Sequence, residues 1–316
     1  MNIKPSNALD KIKPAKFRIR PNRIIIKEKN NLGNGHYSTI YEGSYNTDNK
    51  QTWIKVACKV MNSKEEKSLQ DQIMEVHRDI EVLKNLVHIN IVKFYGVTFN
   101  QTNDYGYVFI IEFSDVGDME KYFINARNRI LVKEAKQWIM EVINGLTFLH
   151  KNNTIHRDLS AKNVLLFKEG SRKIAKLTDF GLSRRLNQDQ YYHASSKTEV
   201  PINRITLNAM QTLKFSVYDD IWALGTLIYE LFHINRIMYS DIANDDNYVE
   251  NFRKHLKEGN RLIFTYERKN ENYDKLFSIA ESCWHDNRSE RPTLSEILDR
   301  LKALNFGDDI LEHLSQ

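Results

Sequence analysis

The chain has 316 residues, with 46 lysines and arginines against 41 aspartates and glutamates, for a net charge of +5. A hydrophobic fraction of 41% and an aromatic fraction of 11% argue against a disordered chain, and so small and dispersed a surplus of charge argues against a nucleic-acid or membrane-surface partner. Cys58 and Cys283 make neither a disulfide framework nor a zinc site, and the longest apolar stretch, Ile221 to Phe232, is interrupted by Glu230 and falls short of the ~18 residues a membrane span needs. A cytoplasmic protein without a membrane span is expected.

Residues 1–22 are basic and polar, with Pro5, Pro14 and Pro21, and read as a leader rather than a core element. Ile24-Ile25-Ile26 starts a strand, Gly33-Asn34-Gly35 supplies a tight turn, and Thr39-Ile40-Tyr41 returns as a second strand. Trp53 to Met61 alternates and is rich in β-branched residues, which predicts a third. Ile73, Val76, Ile80, Leu83 and Leu86 recur at three- and four-residue spacing, so Leu69 to Leu86 is predicted helical. Ile91 to Val97 and Tyr107 to Phe113 read as two further strands. A small sheet with one helix therefore occupies residues 23–113. Beyond Ser114 the pattern turns helical. Lys133 to His150 is a long amphipathic helix, and Asp219 to Phe232 is an apolar one that should be buried. Asp274 to Cys283 and Thr293 to Leu304 read as late helices. The second unit spans 114–305, and 306–316 is read as a tail. The fold class is α+β.

Four motifs carry chemistry. His156-Arg157-Asp158-Leu159-Ser160-Ala161-Lys162-Asn163 puts a carboxylate, an ammonium and an amide in one short loop, and Asp179-Phe180-Gly181 adds a second carboxylate. They supply a candidate proton acceptor, with an amide and a carboxylate as hard oxygen ligands suited to a cation such as magnesium. Gly33 and Gly35, within Leu32-Gly33-Asn34-Gly35, let backbone amides approach phosphate oxygens without interference from a Cβ. No helix opens after this turn and no Gly-Lys-Ser/Thr follows it, which argues against dinucleotide-binding and Walker loops. Val56-Ala57-Cys58-Lys59 sets an ammonium on a strand.

In this order the motifs resemble the eukaryotic protein kinase domain, in its tyrosine kinase and tyrosine-kinase-like group, from about Ile24 to about Leu304. The resemblance implies a bilobal fold, with a small antiparallel N-lobe sheet carrying one helix and a larger, mainly helical C-lobe. It implies ATP, Mg2+ and a protein substrate. By the same resemblance Asp158 accepts or orients the substrate hydroxyl proton, Asn163 and Asp179 hold magnesium, and Lys162 steadies the γ-phosphate. Lys59 pairs the α- and β-phosphates. Leu32, Gly33, Asn34 and Gly35 cover the phosphates, while Ile40, Ala57 and Leu165 sandwich adenine. Backbone groups of Glu112 and Ser114 meet the adenine edge, and Ile111 stands at the back of the pocket. Leu83, Phe94, His156 and Phe180 match the family's stacked apolar column.

The acceptor is read as tyrosine. The loop's basic residue, Lys162, lies four residues past Asp158, where tyrosine kinases place arginine, and Val200-Pro201-Ile202 matches the segment that seats a phenol. Tyr191-Tyr192 matches tandem activation-loop tyrosines, whose phosphate is expected to pair with Arg157 and with Arg184 or Arg185. A serine/threonine kinase of the tyrosine-kinase-like group is the alternative, and a nucleotide-binding pseudokinase scaffold is the rival from another class. Two departures stand out. Asp79 replaces the helix glutamate that pairs with the strand lysine, one methylene short, with Glu75 a turn earlier. Thr206-Leu207-Asn208 replaces Ala-Pro-Glu, which deprives Arg291 of its usual carboxylate and predicts a looser platform or a substitute such as Glu290.

Overall fold

The computed structural model describes residues 9–34, 38–47, 52–61, 69–100, 106–125, 129–194, 201–233, 237–242, 245–265 and 270–311. They fall into two compact units, Met1–Asp115 and Val116–Gln316.

The first unit is built on an antiparallel five-stranded sheet in the order β1-β2-β3-β5-β4. Its strands are β1 (Ile24–Asn34), β2 (Ser38–Asn46), β3 (Trp53–Met61), β4 (Phe94–Asn100) and β5 (Gly106–Glu112), with helix α1 at Leu69–Leu83. Alternation along the strands separates two apolar faces. Val56, Cys58, Val108 and Ile110 cluster on one. On the other, Val97, Phe99, Tyr107 and Phe109 pack with Val76 and Ile80 of α1. The helix ends at Leu83, earlier than its spacing predicts, because the chain tightens there into short-range bonds such as Leu86 N to Leu83 O at 3.0 Å. Leu86 is still buried. Strand β4 starts at Phe94, later than expected, and Ile91 and Val92 are buried ahead of it.

Two terminal stretches differ from expectation. Residues 9–23 pack against the first unit: Ile12 and Ile19 are buried, and three 3-10 turns carry the chain across the sheet into β1. At the other end Phe306 and Leu311 are buried, and Leu311 N donates to Ile130 O at 2.8 Å, so the tail packs as far as residue 311. A few well-spaced apolar residues suffice to dock an otherwise polar segment.

The second unit is mainly helical, with α2 (Met119–Ile124), α3 (Val132–Lys151), α4 (Leu207–Thr212), α5 (Val217–Phe232), α6 (Tyr248–Lys257), α7 (Glu271–Cys283) and α8 (Leu294–Lys302). Every residue of α5 from Asp220 to Phe232 is buried, as its apolar run predicts. Gly225 permits its close approach to α7, since a Cβ there would meet Ala280 O and Cys283 Cβ at 2.8 Å. Short strands β6 (Gly117–Asp118), β7 (Thr154–Ile155), β8 (Val164–Glu169) and β9 (Arg172–Leu177) follow, and β6, β8 and β9 form a small sheet, with Asn163 just ahead of β8 and Asp179 just after β9. Among the described residues no helix is long and apolar enough to cross a membrane.

Candidate active site

The loop His156–Asn163 is fixed by carboxylates of the buried helix α5. Asp220 accepts from the backbone amides of His156 and Arg157, both at 2.9 Å, and pairs with His150 Nε2 at 2.8 Å. Burial alone would push the Asp220 carboxyl up. The His150 hydrogen bond, the charges of His150 and His156 and the Arg157 amide outweigh it and hold the group below the usual carboxylate range. Glu230, a few turns along α5, accepts from Ala161 N at 3.0 Å and pairs with Arg204. Arg157 is thereby held in the left-handed region, φ 67°, a conformation that costs a non-glycine residue roughly 1–3 kcal/mol.

Within this frame Asp158 and Asn163 meet. Asn163 Nδ2 donates to Asp158 O at 2.7 Å and to Asp158 Oδ2 at 2.8 Å. The other carboxylate oxygen, Asp158 Oδ1, is buried and has no hydrogen-bond partner among the described residues. Burial raises the Asp158 pKa, and the nearby charges of His156 and Lys162 offset it only in part. Lys162 is exposed one residue before Asn163. His156 Nε2 lies 3.0 Å from Thr178 O, next to the second motif, and its ring sits 5.3 Å from that of Phe180. Asp179 is also left-handed, φ 56°, with its side chain accepting from Gly181 N at 3.4 Å. Leu165 lies in β8, half-buried.

In the first unit the register sorts the candidate nucleotide residues. Ile40 pairs opposite Lys59, Ala57 opposite Ile111 and Lys59 opposite Phe109. Directly paired residues share a face, so Ile40, Ala57, Lys59 and Ile111 all lie on the face that carries α1. Leu83 and Phe94 pack at that same α1 core. Glu75 and Asp79 stand one turn apart on α1, both half-buried. Glu112 closes β5, its amide donating to Lys93 O at 2.9 Å, with Ser114 two residues on. The glycine turn is placed differently from expectation. Gly33 and Asn34 belong to β1, paired with Ile40 and Thr39, and the Gly33 amide donates to Asn31 Oδ1 at 2.8 Å. Leu32 is exposed on the same strand, and Gly35 lies outside the described residues.

The two loop tyrosines have separate surroundings. Strand β11 (Tyr192–His193) pairs with β12 (Lys214–Phe215), which sets the Tyr192 ring 4.8 Å from the Arg157 guanidinium and 5.8 Å from that of Arg184. Burial, then the charge of Arg184, draws the Arg157 pKa down to about 10. Tyr191 lies instead under Arg288, at 4.8 Å. Arg185 is exposed in β10 (Arg184–Arg185). Pro201 precedes a 3-10 turn at Ile202–Arg204, and Val200 lies outside the described residues.

Glu290 does not substitute for the missing platform glutamate. It pairs with His285 Nε2 at 3.0 Å and accepts from Asn287 Nδ2 at 2.9 Å. Arg291 donates to His285 O at 2.8 Å and Tyr218 O at 2.9 Å and lies over Trp222; burial lowers its pKa, and the charge of Asp219 opposes that shift most strongly. Thr206, the first residue of the altered motif, donates to Asp219 at 2.6 Å and caps α4 by accepting from Ala209 N. Sequence reasoning missed Asp219, Glu230 and His150.

The profile of a family described as protein tyrosine and serine/threonine kinase matches residues 26–301. A similar protein, Tyrosine-protein kinase hopscotch of Drosophila melanogaster, is 30% identical over 278 residues. That match covers 88% of this chain but only 22% of the fly protein, so the chain spans well under a third of that relative's length. With the bilobal fold and the Asp158–Asn163 loop in place, the chain belongs to the protein tyrosine and serine/threonine kinase family.

Proposed function

We propose that the chain transfers the γ-phosphoryl group of ATP to the hydroxyl of a protein tyrosine. One observation carries the reading: Asn163 occupies Asp158 Oδ2 and leaves Oδ1 buried without a partner among the described residues. Such an orphaned acceptor costs roughly 1–3 kcal/mol, and an incoming hydroxyl would satisfy it. Asp158 then takes the hydroxyl proton as the acceptor oxygen bonds to the γ-phosphorus and the bond to the β-phosphate oxygen breaks, releasing ADP. Burial raises its proton affinity, which suits a base. Lys59 would pair the α- and β-phosphates and Lys162 the γ-phosphate.

The donor set fits magnesium. Asn163 spends its amide nitrogen on Asp158, which leaves its oxygen for a cation, and Asp179 supplies a carboxylate. Two hard oxygens suffice when phosphates and waters complete the shell, and no group of three or more acidic, histidine or cysteine ligands occurs among the described residues. When bound, the ion would neutralise charge developing on the phosphate oxygens. Tyrosine as acceptor is supported by Lys162, by the Pro201-Ile202 segment and by the similarity to the fly tyrosine-protein kinase.

Transfer of labelled phosphate from ATP tests this. Asp158→Asn should label roughly 10²–10⁴-fold more slowly than wild type, with label on phosphotyrosine. Equal labelling would favour a nucleotide-binding scaffold, and label on phosphoserine or phosphothreonine would favour the tyrosine-kinase-like alternative.

A further inference from the structure

The segment ahead of β1 touches α1 at one particular turn. Ile12 is fully buried in the cluster that contains Val76 and Ile80. His77 Nε2 lies 2.9 Å from the Lys11 carbonyl and 3.3 Å from the Lys13 amide. Val76, His77 and Ile80 bracket Asp79, the residue whose carboxylate is one methylene shorter than its role asks. The other end of the segment is fastened to β4. Ile19 N donates to Val97 O at 2.8 Å, and the Phe17 ring lies 5.4 Å from that of Phe94. Gly96 makes room for this docking: at φ +154° its Cβ would sit 2.5 Å from Phe17 O. Arg18 closes the segment on itself, donating through Nε to Ile12 O at 2.6 Å.

A helix held on one side by apolar packing alone retains freedom to slide or rotate by fractions of an ångström. A short carboxylate tolerates little of that. An aspartate facing a lysine needs its helix closer and better fixed than a glutamate, whose extra methylene takes up slack. The segment supplies a second, independent grip on α1, and it grips the turn that bears Asp79.

We propose that residues 11–19 are a positioning strap, in which Ile12 and His77 hold α1 so that the short carboxylate of Asp79 serves Lys59 during phosphoryl transfer. This rests on the kinase reading of Lys59 and Asp79. It concerns positioning residues, which reach the reaction only through Asp79.

A coupling experiment separates positioning from simple support of the fold. Ile12→Ala and His77→Ala are each made in the natural background and with Asp79→Glu. In the natural background each should lower kcat on the order of tenfold with the peptide KM within about twofold, as expected for small misplacement of a catalytic group. With Asp79→Glu the same substitutions should lower kcat less than about threefold, because the longer side chain absorbs the slack. Equal losses in both backgrounds, or no loss in either, would overturn the strap. His77 is half-buried at the surface, so its variant guards against Ile12→Ala failing to fold. Amide hydrogen exchange gives a readout that needs no catalysis: Ile12→Ala should speed exchange over residues 73–83 ahead of β2 and β3. Unchanged protection there would also overturn the strap. A wild-type protein that transfers no phosphate would sink the kinase reading instead, and the exchange measurement would still decide whether the strap holds α1.

Discussion

The candidate catalytic loop, His156–Asn163, and the candidate activation segment around Tyr191 and Tyr192 lie in the same unit and share Arg157, yet they are held by different physics. The loop is bonded to α5 through Asp220 and Glu230, fully or nearly buried carboxylates that accept three backbone amides at 2.9–3.0 Å. Hydrogen bonds to a charged group contribute about 1.5–3 kcal/mol each and are directional. The activation segment around Tyr191 and Tyr192 has a two-residue strand and cations over its rings. Cation–ring contacts are worth about 0.5–2 kcal/mol and permit sliding. One region fixes atoms for chemistry; the other is held by contacts that a phosphate could outbid. The same two guanidiniums that lie over the Tyr192 ring could pair with a phosphate on its hydroxyl.

The largest effect that bears on this contrast should come from Asp220→Asn. The amide keeps one acceptor but turns an N–H donor toward one of the two backbone N–H groups, since each carboxylate oxygen accepts one of them. Breaking a buried charged arrangement of this kind costs about 3–5 kcal/mol. The sign with pH is fixed. Asp220 titrates below its ordinary 3.8 in the folded chain, so its stabilisation is fully present above that value and fades as pH falls through the lower one. Denaturant unfolding of wild type and variant should therefore differ most near neutrality, begin to converge below about pH 4 and meet only once pH has fallen through the lower, folded-state value. A gap that persists in acid would mean that Asp220 acts by shape rather than charge, and the contrast between the two regions would collapse.

A smaller effect is expected from replacing Tyr191 and Tyr192 together by phenylalanine. The rings remain under Arg288, Arg157 and Arg184, so the melting temperature of unphosphorylated protein should stay within a few degrees. What the pair loses is the ability to carry phosphate. Preincubation with ATP should accelerate wild type several-fold through new arginine–phosphate bonds and leave the variant unchanged. Single substitutions sharpen the point, since Tyr192 has Arg157 and Arg184 at hand while Tyr191 lies under Arg288. Equal acceleration of wild type and the double variant would show that the segment is not held in this exchangeable way.

How much of this was legible in the sequence follows the same divide. Period and composition revealed the sheet, α1, α3 and α5, because long amphipathic or fully apolar runs leave a strong local signal. The motif residues Lys59, Asp158, Asn163 and Asp179 were legible because phosphoryl transfer demands those atoms whatever surrounds them. What fastens them was not. Glu230 interrupts an apolar helix and reads only as a blemish until Ala161 N and Arg204 are seen to meet it. Residues 9–19 look like solvated leader because Ile12, Phe17 and Ile19 are too widely spaced for any periodic pattern. Gly33 and Asn34 lie in β1 rather than in a turn for a similar reason: Asn31 bonds to both Gly33 N and Asn34 and extends β1 further than glycine content predicts.

The smallest effect concerns Asn208, where sequence reasoning expected a structural weakness. A guanidinium without a counter-charge would be costly, and Arg291 is largely buried. It is not destitute, however. Two carbonyls accept from it, Trp222 lies beneath it, and the charge of Asp219 acts on it. Asp219 is itself held by Thr206 and Ser216, so the altered motif brings its own support: the residue that opens it orients the carboxylate that offsets the one it lost. Asn208→Glu should accordingly change stability by less than about 1 kcal/mol, the scale of a pair added where charge is already balanced. It should also leave the transfer rate within a factor of about five, since that free energy difference is the most it can place on the platform. A gain of more than about 2 kcal/mol would reveal that Arg291 had been starved of charge, beyond what a partly screened pair contributes. Asp219 would then be a weak substitute, and the platform would belong with the loosely held activation segment rather than with the catalytic loop.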